Sequence, residues 1–242
     1  MCRYFIKLVA GCEFKNIGRG CKFCNLPTSD KRFTRLEIKN ALNWLKKQNV
    51  SFRHILIGGG SCLESNVWDD IVWLCQYLKA DNYYQSKPIS LMSILPPREM
   101  LSTLHEAGLE EVAFNMEVAD DAVARDLMPG KRSHPKTTYY SILKEAVEVF
   151  GVGSVRSALL VGIDKEDELI NEVMQLASNN IIPCLSALRS LPGSEYANTM
   201  HPDNSSLRRV YDTASKQLST LDGKITGLGP KCPACRNNML IL

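Results

Sequence analysis

The chain has 242 residues, 45% of them apolar, and a formal net charge of +3. That apolar share supplies a full core and excludes a disordered or collagen-like chain. No apolar run is long enough to cross a bilayer as a helix. Nine cysteines are an odd number, so complete internal disulfide pairing is excluded. Two C-x2-C pairs, Cys21/Cys24 and Cys232/Cys235, read instead as metal or redox chemistry in a reducing compartment. The opening residues, Met1 to Lys7, are too short and too interrupted by charge for a secretory signal, which points to the cytoplasm.

Short β-type runs alternate with helical patterns along the chain. Tyr4 to Val9 reads as a first strand, followed by a loop holding Cys12, Cys21 and Cys24. Thr34 is placed to cap a helix with Leu36, Ile38, Ala41, Leu42 and Leu45 at helical spacing. His54 to Ile57 is a buried strand ending in Gly58-Gly59-Gly60, and Ser65 opens the next helix. Ile89 to Ile94 is strand-like, and Pro96-Pro97 stops it. A helix from Arg98 ends near Gly108. Glu111 to Val118 reads as strand four, with Asp120 and Asp121 as helix starters. A long helix after His134-Pro135 ends at Gly151, and Val155 to Val161 is strand five. A helix from Lys165 to Asn179 precedes strand six, Ile181 to Leu188. The last helix, Ser205 to Leu221, leads to the tail that holds Cys232 and Cys235.

Strands joined by crossover helices form a parallel sheet, and these strands are apolar on both faces, as buried parallel strands are. Unusual residues follow strand after strand: the cysteines, the triple glycine, Ser93, Asn115 with Glu117, and Arg189. Parallel barrels build sites from all their strand ends, whereas doubly wound sheets concentrate them at one switch point. The reading is therefore an α/β chain, a partial (β/α)6 TIM-type barrel over residues 1–200. A short C-terminal extension, a helix and the C-x2-C tail, occupies residues 201–242.

Cys12, Cys21 and Cys24 form a C-x8-C-x2-C array, one thiolate short of a closed tetrahedral site. The shortage leaves two readings, an iron–sulfur cluster with an open iron or a fourth ligand elsewhere. Gly18 and Gly20 give the loop slack, and Phe23 lies inside the pair, placed to pack an aromatic ligand. Asn115 and Glu117 share one face of strand four by the two-residue period, and buried strands rarely carry such groups without a partner.

Three clustered cysteines after the first strand, with an aromatic before the last, resemble the radical S-adenosylmethionine (radical SAM) superfamily. Its usual spacing is C-x3-C-x2-C, from which this chain departs. The resemblance implies a 4Fe-4S cluster on Cys12, Cys21 and Cys24, with S-adenosylmethionine on the open iron. It also implies an oxygen-sensitive enzyme that cleaves S-adenosylmethionine reductively to a 5′-deoxyadenosyl radical, which abstracts hydrogen from substrate. Ile55-Leu56-Ile57-Gly58-Gly59-Gly60 resembles the family's glycine motif, where backbone meets the methionine amino group. By the same resemblance Phe23, Ser93, Asn115, Glu117, Arg156, Ser157 and Arg189 are cofactor-binding candidates, with Arg125 or Arg132 as alternatives for the carboxylate. The 115–131 stretch and the strand from Arg156 look most like the biotin-synthase-related branch.

The family reading implies a flavodoxin or ferredoxin-type electron donor and a small-molecule substrate, since no large accessory domain is there to hold a polymer. Cys232 and Cys235 are candidates for a second cluster or a zinc ion with cysteines from elsewhere. An alternative reading is a zinc-binding interaction module using the cysteines structurally. The alternation of strands and helices argues against it, and no basic–aromatic stripe supports nucleic-acid binding.

Overall fold

The computed structural model describes residues 3–229. Cys232 and Cys235 lie outside the described residues. Six strands, β1 (Arg3–Lys7), β2 (His54–Gly58), β3 (Ile89–Ser93), β4 (Glu111–Phe114), β5 (Val155–Val161) and β6 (Ile182–Ala187), form one sheet in the order β1-β2-β3-β4-β5-β6. Every neighbouring pair is parallel. This sequential order winds in one direction only, whereas a doubly wound sheet reverses at a switch point. The sheet does not close on itself, because β1 and β6 are its two edges. The partial-barrel expectation is what the chain forms.

The two-residue period of each strand divides the side chains into an outer and an inner set. Ile55, Ile57, Leu91, Val112, Leu159 and Leu185 point outward into the principal core, where they are essentially solvent-free. The registers place Phe5, Leu56, Ser90, Met92, Ala113, Arg156, Ala158 and Cys184 on the inner face. Burying one large aliphatic side chain contributes about 1.5–3 kcal/mol, so the outer set holds the helices on the sheet. The inner set is left for function.

The helices start and stop where the local chemistry says. Helix α1 (Glu13–Asn16) is a single turn within the cysteine loop, too short for a sequence period to show it. Thr34 caps α2 (Arg35–Lys47) in a reciprocal box with Glu37. Helix α3 is Val67–Ala80, preceded by Asn66 without a side-chain cap rather than opening at Ser65. Helix α4 is Met100–Glu106. Asp120 caps α5 (Asp121–Leu127) by accepting from the Val123 amide. Helix α6 (Lys136–Phe150) ends at Gly151, whose φ of 85° suits only glycine well. Helices α7 (Glu166–Ser178) and α8 (Asn204–Leu218) complete the set, the latter capped by Asp203. Among the described residues no helix is long and apolar enough to cross a membrane.

Strand four is shorter than its sequence pattern. It stops at Phe114, and Glu117 has a φ of 63°, in the left-handed region. The chain rejoins the sheet there through an isolated bridge to Leu159. The Glu117 amide donates to Ala158 O at 2.7 Å, and its carbonyl accepts from Leu160 at 2.8 Å. A non-glycine residue held in that region costs of order 1–3 kcal/mol, and such strain collects at functional sites.

Candidate active site

The cysteine loop lies across the C-terminal ends of the strands and is fastened to two other loops and to the end of α5. Glu13 N donates to Ser61 O at 2.9 Å, Lys22 N to Leu127 O at 2.9 Å, and Glu195 N to Lys22 O at 2.9 Å. The fit to the glycine motif is the tightest. A Cβ on Gly60 would lie 1.8 Å from Gly11 O and 2.7 Å from the Cys12 Cα. Gly130 is crowded in the same way, 2.4 Å from the Phe14 ring and 2.5 Å from Arg19 O. Only residues without a side chain permit these approaches.

Glu13, next to Cys12, adds a side-chain clamp. Its carboxylate accepts from the Leu63 amide at 2.7 Å, from the Cys62 thiol at 3.2 Å and from Arg32 Nε at 3.3 Å. Burial alone would raise its pKa, but the Leu63 amide, the Cys62 thiol and Arg32 together hold it below the usual range. Burial also pushes the Cys62 thiol up to about 11, so this cysteine stays protonated at neutral pH.

Beneath the loop is a cleft whose walls include Gly58 at the end of β2, Gly59 and Gly60 just beyond it, Met92 and Ser93 from β3, and Asn115, Glu117 and Lys131. Six of the ten cofactor-binding candidates therefore meet in one cavity: the three glycines, Ser93, Asn115 and Glu117. Ser93 Oγ donates to Ile94 O at 2.8 Å, and Asn115 Oδ1 accepts from the Ala158 amide at 3.2 Å. Glu117 pairs with Lys131 at 3.0 Å through one carboxylate oxygen, while its other oxygen, Oε2, is buried and has no hydrogen-bond partner. Burial draws the Lys131 ammonium down, and the Glu117 carboxylate more than offsets this, leaving it above the usual lysine range.

The other candidates stand elsewhere. Arg156 lies deeper on the inner face, paired with Glu111 at 3.1 Å and lining a small cavity shared with Met92, Asn115 and Cys184. Ser157 points to the opposite face of β5, fully buried, and its Oγ accepts from the Met116 amide at 3.0 Å. Its position alternates with Arg156, so both cannot face the cleft. Arg189 is exposed. Phe23 packs against a satellite cluster of Val118, Ala124, Leu127 and Met128. Arg132 is committed to Val118 O, Asp121 and the Tyr139 ring, and Arg125 pairs with Asp121 at 2.9 Å. Lys131 is a charged cleft residue that the sequence pattern does not single out. Its one signal was its place directly after Met128-Pro129-Gly130, a turn that brings it back to strand four.

Cys12 is buried, and Cys21 and Cys24 are half-buried. Burial pushes the Cys21 thiol up to about 12, with Glu117 adding to the rise and Lys131 opposing it, and both other cysteines act on it. A free thiolate is therefore costly here, and a soft metal that displaces the proton suits the site. Among the described residues no three His, Cys, Asp or Glu side chains gather around a single ion. Thiolates sharing one tetrahedral ion stand only about 3.8 Å apart. Cluster thiolates bind separate irons and stand wider.

The fold is a parallel partial barrel with a cysteine loop over its strand ends. The chain matches the radical SAM superfamily model over residues 6–177, and it belongs to that superfamily. Members of that superfamily in general use a 4Fe-4S cluster, S-adenosylmethionine and an electron donor. No curated protein matches it in sequence. Among solved structures it is similar to methylornithine synthase (PylB), at 19% identity and a TM-score of 0.63, covering 87% of this chain and 62% of that one. It is also similar to HydG, a maturase of the FeFe-hydrogenase, at 13% identity and a TM-score of 0.66, covering 94% and 51%. A third is the coproporphyrinogen III oxidase HemN from Escherichia coli, at 15% identity and a TM-score of 0.58, covering 90% and 52%. The chain thus spans only about half to three-fifths of these proteins' lengths. At such identities the likeness extends to the fold alone, and membership of an enzyme family displaces the zinc-module alternative.

Two observations test whether the residues fit the cofactors. The donor set is three thiols in one loop, which suits iron–sulfur ligation. The buried, partnerless Glu117 Oε2 is an acceptor on the wall of the adjoining cleft. It suits the ammonium or a ribose hydroxyl of S-adenosylmethionine. The residues fit.

Proposed function

We propose that Cys12, Cys21 and Cys24 hold the 4Fe-4S cluster and that the Gly58–Glu117 cleft holds S-adenosylmethionine, cleaved reductively to begin hydrogen abstraction from a small molecule. The single observation that carries this reading is the unpaired Glu117 Oε2 on the wall of a cleft whose Glu117 and Lys131 act electrostatically on Cys21. Unsatisfied buried acceptors cost about 1–3 kcal/mol and are kept where a ligand satisfies them. When bound, the cluster and the sulfonium supply a one-electron cleavage to methionine and a 5′-deoxyadenosyl radical.

The chain's own part is binding, orientation and exclusion of water. Gly58 to Gly60 bring bare backbone to the cleft, and Glu117, fixed by its strained φ and by Lys131, presents an acceptor. Asn115 is held by Ala158, so its amide is locked in one orientation. Ser93 lines the same cleft. A flavodoxin or ferredoxin-type protein supplies the electron. Residues 1–200 form the catalytic barrel, and residues 201–242 an extension whose Cys232 and Cys235 are candidates for a second cluster or zinc.

The test is Glu117→Gln, which keeps an acceptor for Lys131 but removes the carboxylate charge. A hydrogen bond to a charged group contributes about 1.5–3 kcal/mol. S-adenosylmethionine affinity of the reconstituted protein should fall by at least tenfold, with iron content unchanged and less 5′-deoxyadenosine formed under dithionite. Unchanged affinity would remove Glu117 from the cofactor site.

A further inference from the structure

The spacing between Cys12 and Cys21 leaves a segment that the cofactor reading above does not use. It folds as α1 and a turn through Ile17, Gly18 and Arg19. Gly18 takes a φ of 68° there, with open space around it. The turn is anchored at both ends, by the Glu13 clamp and by Gly130 N donating to Arg19 O at 3.0 Å. Its tip is a fixed protrusion. Ile17 is 54% exposed on it, among the few large apolar side chains left on the surface.

The charge around that tip is unusual for this chain. Residues 11–32 carry five basic and two acidic side chains, a surplus equal to the whole chain's +3. Three of the five reach carboxylates: Lys22 pairs with Asp126, Lys31 with Glu37, and Arg32 with Glu13 and Glu64. Lys15 and Arg19 do not. Lys15 donates to Cys24 O at 2.5 Å and Arg19 to Pro129 O at 2.9 Å, both neutral carbonyls. The two cations thus flank Ile17 with their charge unbalanced among the described residues. An apolar centre between charges that steer encounter is the anatomy of a transient protein interface. The Lys15 ammonium is hydrogen-bonded to the backbone of a candidate cluster ligand, so the protrusion is also a short route to the cluster.

We propose that the Lys15–Arg19 turn is the docking point of the acidic one-electron carrier protein that reduces the cluster. The inference rests on the cluster assignment above. The carrier gives up one electron, and the cluster passes from its 2+ to its 1+ state with no atom transferred. The long first spacing of the cysteine array then has a purpose, since it builds the contact surface out of the cluster's own loop.

The experiment uses the anaerobically reconstituted full chain and a reduced bacterial flavodoxin as probe. Lys15→Gln with Arg19→Gln removes both charges and leaves a polar amide at each position, and Ile17→Ser leaves every anchoring bond in place. The second-order rate of cluster reduction is read by stopped-flow absorbance, and complex formation by calorimetry. Each variant should lose about tenfold in reduction rate at low ionic strength. The loss from the charge variant should shrink at high salt, where screening is nearly complete. Reduction by dithionite, which needs no docking surface, should be unchanged, as should iron content. Lys47→Gln with Lys144→Gln, the same charge change on exposed lysines outside this loop, should leave the flavodoxin rate intact. Wild-type flavodoxin rates in Ile17→Ser overturn the proposal whatever the charge variant does. So does equal slowing by the distant lysine pair, or an Ile17-dependent dimer of this chain. Failure of the cluster reading would instead appear as absent iron in the wild type.

Discussion

Substituting Gly60 by alanine probes the contact on which the whole site depends. The new methyl would sit 1.8 Å from Gly11 O, 2.5 Å from Gly11 C and 2.7 Å from the Cys12 Cα, all of them backbone atoms. Opening that approach from 1.8 Å to even 3.0 Å moves one backbone against the other by about 1.2 Å. Neither side has freedom to give. Ala10 N, Cys12 N and Glu13 N are bonded to Lys31 O, Pro27 O and Ser61 O at 2.9–3.1 Å, and a Cβ on Gly11 would itself meet Pro27 O at 2.5 Å. Overpacking costs about 1–3 kcal/mol and a lost backbone hydrogen bond about 1 kcal/mol, so a penalty of about 3 kcal/mol is expected. In a chain of this size that lowers Tm by about 6–12 °C. Because the displaced atoms adjoin Cys12, iron per chain should fall below half after anaerobic reconstitution. Gly153→Ala is the control: its φ is 97°, and nothing lies within 4 Å of the added methyl. It should lower Tm modestly and keep the iron. A Gly60→Ala protein with full iron and a Tm within 1 °C of wild type would refute the close-approach argument.

Other outcomes separate ligand cysteines from packing cysteines. Cys21→Ala and Cys24→Ala should each abolish the cluster signal. Cys75→Ala, at a fully buried position in the principal core, should keep full iron and cost stability in a urea titration. Asp203 gives a pH dependence. Its cap bonds to Ser206 and Ser205 lower its pKa to about 2, so its contribution is complete above the unfolded carboxylate range near pH 4. That contribution is lost as pH falls towards 2. The urea midpoint of Asp203→Asn should differ from wild type at pH 6, and the gap should narrow as pH is lowered. A gap independent of pH would mean that the carboxylate charge plays no part in the cap.

Much of the fold was legible because local and tertiary demands agree. Thr34 and Glu37 announce a capping box, and the box forms. The apolar runs at 54–57 and 155–161 announce strands buried on both faces, and those strands sit inside the sheet. Glu117 shows where local reading ends. Its period-two pattern continues strand four, yet its φ is positive and the sheet is regained by a bridge to β5. No propensity encodes that, because strain of this kind is held in place by the surrounding structure. Ser157 and Arg156 pose a second limit. Both faces of β5 are buried, so burial pattern does not say which of two adjacent polar residues looks into the barrel. The partner decides it: Ser157 answers the Met116 amide and Arg156 answers Glu111. Lys131 reaches the cleft by a loop path, and loop paths carry no period to read. Phe23, inside the cysteine pair, packs against Leu127 and Met128, which its place in the sequence does not announce.

The most direct measurement is the anaerobic spectrum of the purified, reconstituted chain, taken with its iron and sulfide content and with paramagnetic resonance before and after adding S-adenosylmethionine. The account predicts a brown protein with about four irons on three thiolates. Its broad absorbance should bleach on reduction, and the resonance of the reduced cluster should shift when S-adenosylmethionine is added. A colourless protein that takes up zinc and no iron, or a cluster whose resonance ignores S-adenosylmethionine, would contradict it.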